Sequence, residues 1–435
     1  MIMVSEKNIE VALAQTWHEQ TARNSLERWL KLCEQENWNE QSVNLDVLAG
    51  IFGSSWYFTR YVFAVGESAL SIINQEPQGL PDYTNLGRQL AACLIHDDFE
   101  ARVNQLRILK NGMMLQYLVE YLQSRFSIEQ LEYSLTLLAE VTLDMLIQSI
   151  RMLPGYEQFP VSVLAMGRMA GYEMTFGSDL DLIFLYDGKD QDLHEQLGKS
   201  ARMLLRMIAQ PASTGSLYEV DMRLRPHGNA GLLVTSYQSF KEYHEGSRDI
   251  WERQLMTRCR PVIKYNDSVN IIMETVNDSL YKPYDRQLLC KEIISMRARV
   301  QKELGSPKGR YEIKRGFGGI MDIDFISHYY QLGYGHQYRE LQVCSTRTAL
   351  EVMSKCGLID RETSVNLVAH YNYLKKTEMC LRLFDMKSVD SFKAMDSDNI
   401  ALSRAMGHGD NLNRFLDEFE TVTHSVRRIY EKVMI

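Results

Sequence analysis

Val161-Ser-Val-Leu-Ala-Met-Gly167-Arg-Met-Ala-Gly171-Tyr-Glu-Met-Thr-Phe-Gly177-Ser178-Asp179-Leu-Asp181-Leu-Ile-Phe-Leu-Tyr186 is the stretch that decides how this chain folds. It reads as an apolar strand, a glycine-punctuated turn with a short helix, and a second apolar strand reached through Gly-Ser-Asp-Leu-Asp. Side chains alternate across a strand, so Asp179 and Asp181 share one face while Leu180 points the other way. Two carboxylates confined to one small volume repel each other. One takes up a proton unless a divalent cation keeps both ionised.

The flanking residues narrow the chemistry. Gly167 and Gly171 let the backbone come close to a bulky anion, and free amides at a helix start bind phosphate. An Asp-x-Asp at a strand start is by itself common in solvated turns. With Gly167, Gly171, Gly177 and Ser178 around it, the pair points to a nucleoside triphosphate held through Mg²⁺. A third acid follows in Leu217-Tyr-Glu-Val-Asp221-Met-Arg223-Leu-Arg225-Pro226, where Glu219, Asp221, Arg223 and Arg225 alternate with apolar residues. That alternation predicts a strand with one charged face along its whole length. Three carboxylates on adjacent strands, with arginines beside them, suit two-metal in-line phosphoryl or nucleotidyl transfer.

These residues carry a resemblance. A hydrophobic residue and glycine, about a dozen residues, then Asp-hydrophobic-Asp resembles the DNA polymerase beta nucleotidyltransferase superfamily. Within it, Met166 to Met174 followed by Gly177-Ser-Asp-Leu-Asp-Leu-Ile183 is similar to the glutamine synthetase adenylyltransferase family. So are Val220-Asp-Met-Arg-Leu-Arg-Pro-His-Gly-Asn-Ala-Gly231, Trp251-Glu-Arg253 and Gly318-Gly-Ile-Met-Asp-Ile-Asp-Phe325. The blocks keep the family's order and spacing from about residue 100 to 335.

The resemblance implies a Mg²⁺-dependent transfer of AMP from ATP to a tyrosine of glutamine synthetase. It implies glutamine synthetase as protein substrate and a PII-type signalling protein as a partner. Asp179, Asp181 and Asp221 would be catalytic and hold the metal. Gly167, Arg168, Gly177, Ser178, Arg223, Arg225, Arg253 and Lys314 would contact the nucleotide; Arg260, seven residues on from Arg253 and so on the same face of a helix, would lie near it. Family enzymes carry two such modules, one adding AMP and one removing it by phosphorolysis; the length suits one, and the wording around Asp221 and Asp322 is closer to the adding module. The reverse reaction stays open, as does a non-catalytic module binding a nucleotide or a signalling protein. Three positions depart from the family: Arg168 stands for a usual Lys, Ala170 for a Gly and Asp324 for a Glu. Arg168 keeps the charge without the point-like ammonium, which alters phosphate geometry.

Composition sets outer bounds. The 435 residues are 45% hydrophobic with a formal charge of -8, enough for two or three domains and without the basic balance of a nucleic-acid binder. Basic residues cluster locally at Arg223, Arg225, Arg248, Arg253, Arg258 and Arg260, which suits a triphosphate better than a duplex. Seven dispersed cysteines without a Cys-x-x-Cys pair indicate reduced thiols. The start has neither a signal core nor a membrane-length apolar run, so a soluble cytoplasmic protein is expected, with no membrane partner.

The fold expected is α+β and mostly helical: a polymerase beta-like nucleotidyltransferase core, a small mixed sheet with helices on one side, flanked by N-terminal helices and a C-terminal helical bundle. Its parts are a helical region over 1–125, the catalytic domain over 126–285 and the bundle over 286–435. Helical spacing runs through Ile9–Cys33, Leu45–Phe52, Trp56–Ile73 and Asn85–Tyr121. Asp97-Asp-Phe-Glu100 reads as a helix start, and Ser127-Ile-Glu-Gln130 as a capping box opening a helix to about Met152. A helix over Asp192–Ala209, a turn at Ser213–Ser216, a short strand over Gly231–Ser236 beside the Asp221 strand and a helix over Ser239–Arg260 complete the core. Trp251 reads there as a packing anchor. Farther on, Arg286–Leu304 reads as a helix, Ser306–Arg310 as a loop, and Lys314 to Gly319 as a cation-bearing glycine turn before Asp322 and Asp324. The bundle is interrupted near Met386 to Asp398.

Overall fold

The apolar run Val161–Met166 forms β1, buried at all six positions. Leu180–Tyr186 forms β2 antiparallel to it, with Val161 opposite Tyr186 and Ala165 opposite Leu182. Consecutive buried residues on a strand mean that both faces of the sheet are covered. These strands belong to a computed structural model that describes residues 6–14, 16–38, 44–77, 79–188, 191–212, 215–246, 248–305, 309–393, 396 and 399–434. The chain's start, and parts of the turn at Ser213–Ser216 and of the loop at Ser306–Arg310, lie outside these described residues.

β1 pairs on its other edge with β5 (Cys259–Ile263), again antiparallel. β3 (Val220–Asp221) and β4 (Val234–Ser236) both lie parallel along the outer edge of β2. β3 meets Leu180 and Asp181, whereas β4 meets Phe184 to Tyr186. The sheet is therefore small and mixed, as expected. Two details differ: β4 sits farther along β2 rather than beside the Asp221 strand, and the charged strand shrinks to two residues. After Asp221 the chain turns, with the Gly228 amide donating to the Arg225 carbonyl at 2.8 Å and His227 at φ 62°. Pro226 in this stretch has no N–H to continue a ladder.

Both faces of β1 and β2 are covered, not one. α1 (Glu6–Leu13), α2 (Glu19–Glu36), α3 (Leu45–Ser54), α4 (Trp56–Val65), α5 (Ser68–Ile73) and α6 (Tyr83–Leu90) lead to the long pair α7 (Phe99–Leu122) and α8 (Ile128–Arg151). Asp98 starts α7 by accepting the Ala101 amide at 2.7 Å. Ser127 and Gln130 close the expected capping box on α8, each side chain accepting the other's amide at 3.2 and 2.9 Å. α9 (Gly167–Ala170) is the short turn after β1, and α10 (Gln191–Ala209) packs along β3 and β4. α8 packs on β5.

The single helix expected over Ser239–Arg260 is three elements: α11 (Tyr237–Glu245), α12 (Ile250–Met256) and β5. Asp249 and Glu252 form a capping box that starts α12 afresh. Pro261 disfavours the helical conformation for Arg260 before it, and a proline is tolerated on this outer strand. Arg253 and Arg260 therefore share no helix face. α13 (Ser268–Leu280) packs on β5 and α11.

The C-terminal part comprises α14 (Arg286–Leu304), α15 (Ile320–Tyr334), α16 (Thr346–Lys355), α17 (Arg361–Leu383), α18 (Asn399–Ala405) and α19 (Leu412–Met434). The interruption near Met386 holds an unanticipated ribbon, β6 (Arg310–Glu312) antiparallel to β7 (Ser391–Lys393). One continuous apolar cluster runs from Leu13 through β1 and β2 to Tyr430. All seven cysteines are free, and among the described residues no helix is long and apolar enough to cross a membrane.

Candidate active site

The β2–β3 ladder sets Asp181 directly opposite Asp221, and Asp179 stands one residue before β2. Leu180, between the two acids, is sunk in the core at 1% exposure. Burial and the neighbouring Asp221 push the Asp181 carboxyl up to about 7, and Asp179 adds to the shift. Burial raises Asp179 as well, with Arg382 opposing. Asp221 goes the other way, held below the usual carboxylate range by hydrogen bonds from Arg223. The Arg223 amide donates to Asp221 Oδ1 and its Nε to Oδ2, both at 2.8 Å.

Gly167 fits against this cluster because it has no side chain. Its φ is 56°, and a Cβ there would lie 2.8 Å from Asp181 Oδ2. Its amide is not free as expected, since it donates to the Arg258 carbonyl at 3.0 Å. Gly177, at φ 69°, lies under the backbone of Met386. The Ser178 hydroxyl accepts the Thr175 amide at 2.9 Å, closing the turn that feeds β2. Behind this turn is a cavity of about 150 Å³ walled by Tyr57, Lys110, Met174, Gly177, Ser178 and Tyr218.

The remaining cations divide. Arg225 spends its guanidinium on the carbonyls of Met222 and Gly231. Arg253 is buried and donates to the carbonyls of Ser279 and Gly246, both at 3.3 Å. Arg168 turns away from the acids above to Glu173 (3.2 Å), Asp324 (3.3 Å) and the Tyr371 hydroxyl. Arg258 meets the same Glu173 and Asp324 and the Thr346 hydroxyl. Tyr371 and the Thr346 amide also donate to Glu173, at 2.7 and 2.8 Å. Glu173, on the quoted core stretch, is thereby the hub of a buried ionic seam with α15, α16 and α17. Asp322 pairs with Arg297 and accepts the Gly318 amide at 3.0 Å, shaping the glycine turn.

Lys314 is the exception among these cations. Its ammonium favours ionised Asp179 and Asp181, yet among the described residues it has neither an ion pair nor the carbonyl partners that hold Arg225 and Arg253. Arg382, not anticipated from the sequence, also acts on Asp179; it is anchored by Glu378 at 3.0 Å and by Asp390. No sequence signal marks it, since it lies in α17 far from any motif.

Among the described residues no three His, Cys, Asp or Glu side chains close on one metal position. Asp179 and Asp181 supply hard oxygen donors whose carboxyls are raised by burial first and by neighbouring Asp221 next, a cost that a divalent cation relieves. Asp221, held by Arg223, would join them on exchanging that partner. The donor set thus fits Mg²⁺.

Residues 45–274 match the family model for glutamate-ammonia ligase adenylyltransferase, and residues 292–434 that for GlnD PII-uridylyltransferase. The chain is similar to the bifunctional glutamine synthetase adenylyltransferase/adenylyl-removing enzyme of Nitrosomonas europaea, 30% identical over 319 residues, 70% of this chain and 34% of that one. The enzymes of the same name from Bordetella bronchiseptica and Chromobacterium violaceum are each 30% identical, over 71% and 81% of this chain and 34% and 40% of theirs. The chain spans about a third of the length of these curated relatives. With the first model matching more than half of its residues around the site just described, the chain belongs to the glutamate-ammonia ligase adenylyltransferase family.

Proposed function

We propose that the chain transfers AMP from ATP to a tyrosine of glutamine synthetase in a Mg²⁺-dependent reaction. The observation that carries this is the pairing of Asp181 with Asp221 across β2 and β3, with Gly167 pressed against Asp181. Asp179 and Asp181 would hold the metal with Asp221. When bound, Mg²⁺ supplies charge neutralisation for the phosphates and the leaving pyrophosphate. Lys314, free of ion pairs among the described residues, would meet the triphosphate, and Arg382 would add to the field. Gly177 and Ser178 would shape the turn beneath it. Arg168, Arg225 and Arg253 would support the site from its frame, since their guanidinium groups are already occupied. Asp221, flanked by Arg223, would accept the phenolic proton.

The names of the relatives favour a second reading, phosphorolytic removal of AMP from the same tyrosine by the same parts. The match over 292–434 supports a PII-type signalling protein as partner and a division near residue 286, after the N-terminal helices of 1–125 and the catalytic part of 126–285. Free cysteines accord with a reducing cytoplasm.

The test incubates the purified chain with glutamine synthetase, ATP and Mg²⁺ and records intact mass. A gain of one AMP per subunit is the expected outcome, abolished by chelation and lowered at least ~100-fold by Asp181→Asn. Near-normal turnover of Asp181→Asn would refute the assignment. Loss of AMP from adenylylated substrate with phosphate would establish the second reading.

A further inference from the structure

A cavity of about 340 Å³ opens beside the carboxylates, walled by Met166, Leu224, His227, Trp251, Leu255 and Met256. Met166 is the residue before Gly167, which touches Asp181, and Arg223, which grips Asp221, is also on the cavity's rim. Trp251 was expected to be a packing anchor. It is instead 42% exposed, with its Nε1–H donating to Asp249 Oδ2 at 3.1 Å. Large half-exposed aromatic groups around a pocket are typical of recognition surfaces. The volume is at the small end of ligand pockets, about 300–1,000 Å³, and suits one aromatic side chain with its backbone.

Which aromatic group it takes follows from the layout. Lys314 favours ionised Asp179 and Asp181 and Arg382 favours ionised Asp179, the Gly177 turn beside them lies against Met386 of the C-terminal part, and neither cation lines this cavity. They mark the side for the polyphosphate. In-line displacement brings the acceptor in opposite the leaving pyrophosphate. A second approach to the carboxylates is through Asp221 and Arg223, where the cavity lies. Its rim carries Arg223, exposed to 72% in its side chain, and Arg225 against the one carboxylate of Glu252, a cationic excess that complements acidic residues flanking the acceptor.

We propose that this cavity seats the acceptor tyrosine of the protein substrate, within an extended segment bearing acidic neighbours. The inference rests on the transfer reading above. The seated phenolic oxygen bonds to the α-phosphorus of ATP, the bond from that phosphorus to the bridging oxygen breaks, pyrophosphate leaves, and the phenolic proton passes to Asp221. In the reverse reaction the AMP-bearing tyrosine would sit in the same place.

The full chain is assayed with glutamine synthetase as acceptor, and ATP affinity is measured separately with a fluorescent ATP analogue without acceptor. Trp251→Ala and Leu255→Trp, one emptying and one filling the cavity, are both expected to raise KM for the acceptor about tenfold or more while ATP affinity stays within about twofold. Two variants of opposite volume, both with wild-type melting temperature, separate recognition from folding. A rise in the ATP dissociation constant with an unchanged acceptor KM would assign the cavity to the nucleobase and overturn the inference. Unchanged acceptor KM in both variants would also overturn it, leaving the transfer reading intact. A wild-type chain that binds ATP but is inert toward the acceptor would sink the transfer reading and this inference with it.

Discussion

Lys110 is 2% exposed in the cavity behind the Gly177–Ser178 turn, and it closes no ion pair among the described residues. Its polar partner is the Ser216 carbonyl at 3.5 Å, and its ammonium lies 4.7 Å from the centre of the Tyr218 ring. Burial first, and then the nearby Arg107, lower its pKa from 10.5 to about 7. A lysine depressed in the folded state makes unfolding take up a proton between pH 7 and 10.5, so stability should rise with pH across that window. At 1.36 kcal/mol per unit the side chain costs about 4 kcal/mol at pH 7 and about 2 kcal/mol at pH 9. Lys110→Met keeps the length and removes the charge. It should stabilise the chain by up to about 4 kcal/mol at pH 7, less the lost cation–π contact of about 1 kcal/mol, with the gain falling by about half at pH 9. Urea unfolding of both proteins at the two pH values measures this. A Met variant less stable than wild type at pH 7, or a gain that ignores pH, would refute the reasoning.

Gly167→Ala should lower kcat about 100-fold with the fold retained, because the new methyl displaces the Asp181 carboxylate by the required tenths of an ångström. Its left-handed φ adds about 1 kcal/mol of destabilisation, readable by thermal melting. Glu173→Gln should cost about 3–5 kcal/mol in urea unfolding, since it leaves Arg168 and Arg258 short of a buried counter-charge. The Arg258 and Arg168 guanidinium groups hold the Glu173 carboxyl well below its usual range. The stability this gives is present above about pH 4.5 and drains as pH falls below it, so wild type should lose stability in acid more steeply than the Gln variant.

The parts legible in the sequence were those whose partners lie nearby along the chain. Asp179 and Asp181 needed only strand alternation, and the Ser127 box only a three-residue spacing. Asp221 was reachable because its strand also alternates, although the ladder stops at that residue when the chain turns toward Pro226. The arginines were the harder case. Arg168 in a glycine-rich turn reads as a phosphate ligand, but Asp324 and Tyr371, which occupy it, lie 156 and 203 residues away. Nothing local to Arg168 reveals them. β5 was hidden because Arg258 and Arg260 continue the charged helical spacing of α12; only its pairing with β1 makes Cys259–Ile263 a strand. Lys314 was legible through its glycine turn, whereas Arg382 sits in a helix with no motif about it.

The acids of the site lie on the sheet, while Lys314 and Arg382 come from much later in the chain. During synthesis the amino-terminal portion leaves the ribosome first and begins to fold before the rest exists. At that stage Asp179, Asp181 and Asp221 stand without either cation, and Glu173 lacks the Asp324, Tyr371 and Thr346 side of its seam. Under the transfer reading, the site therefore gains its last cation only when α17 has emerged and docked. The cation that acts on Asp179 and the residues that close the Glu173 seam thus arrive together, on helices made well after the sheet.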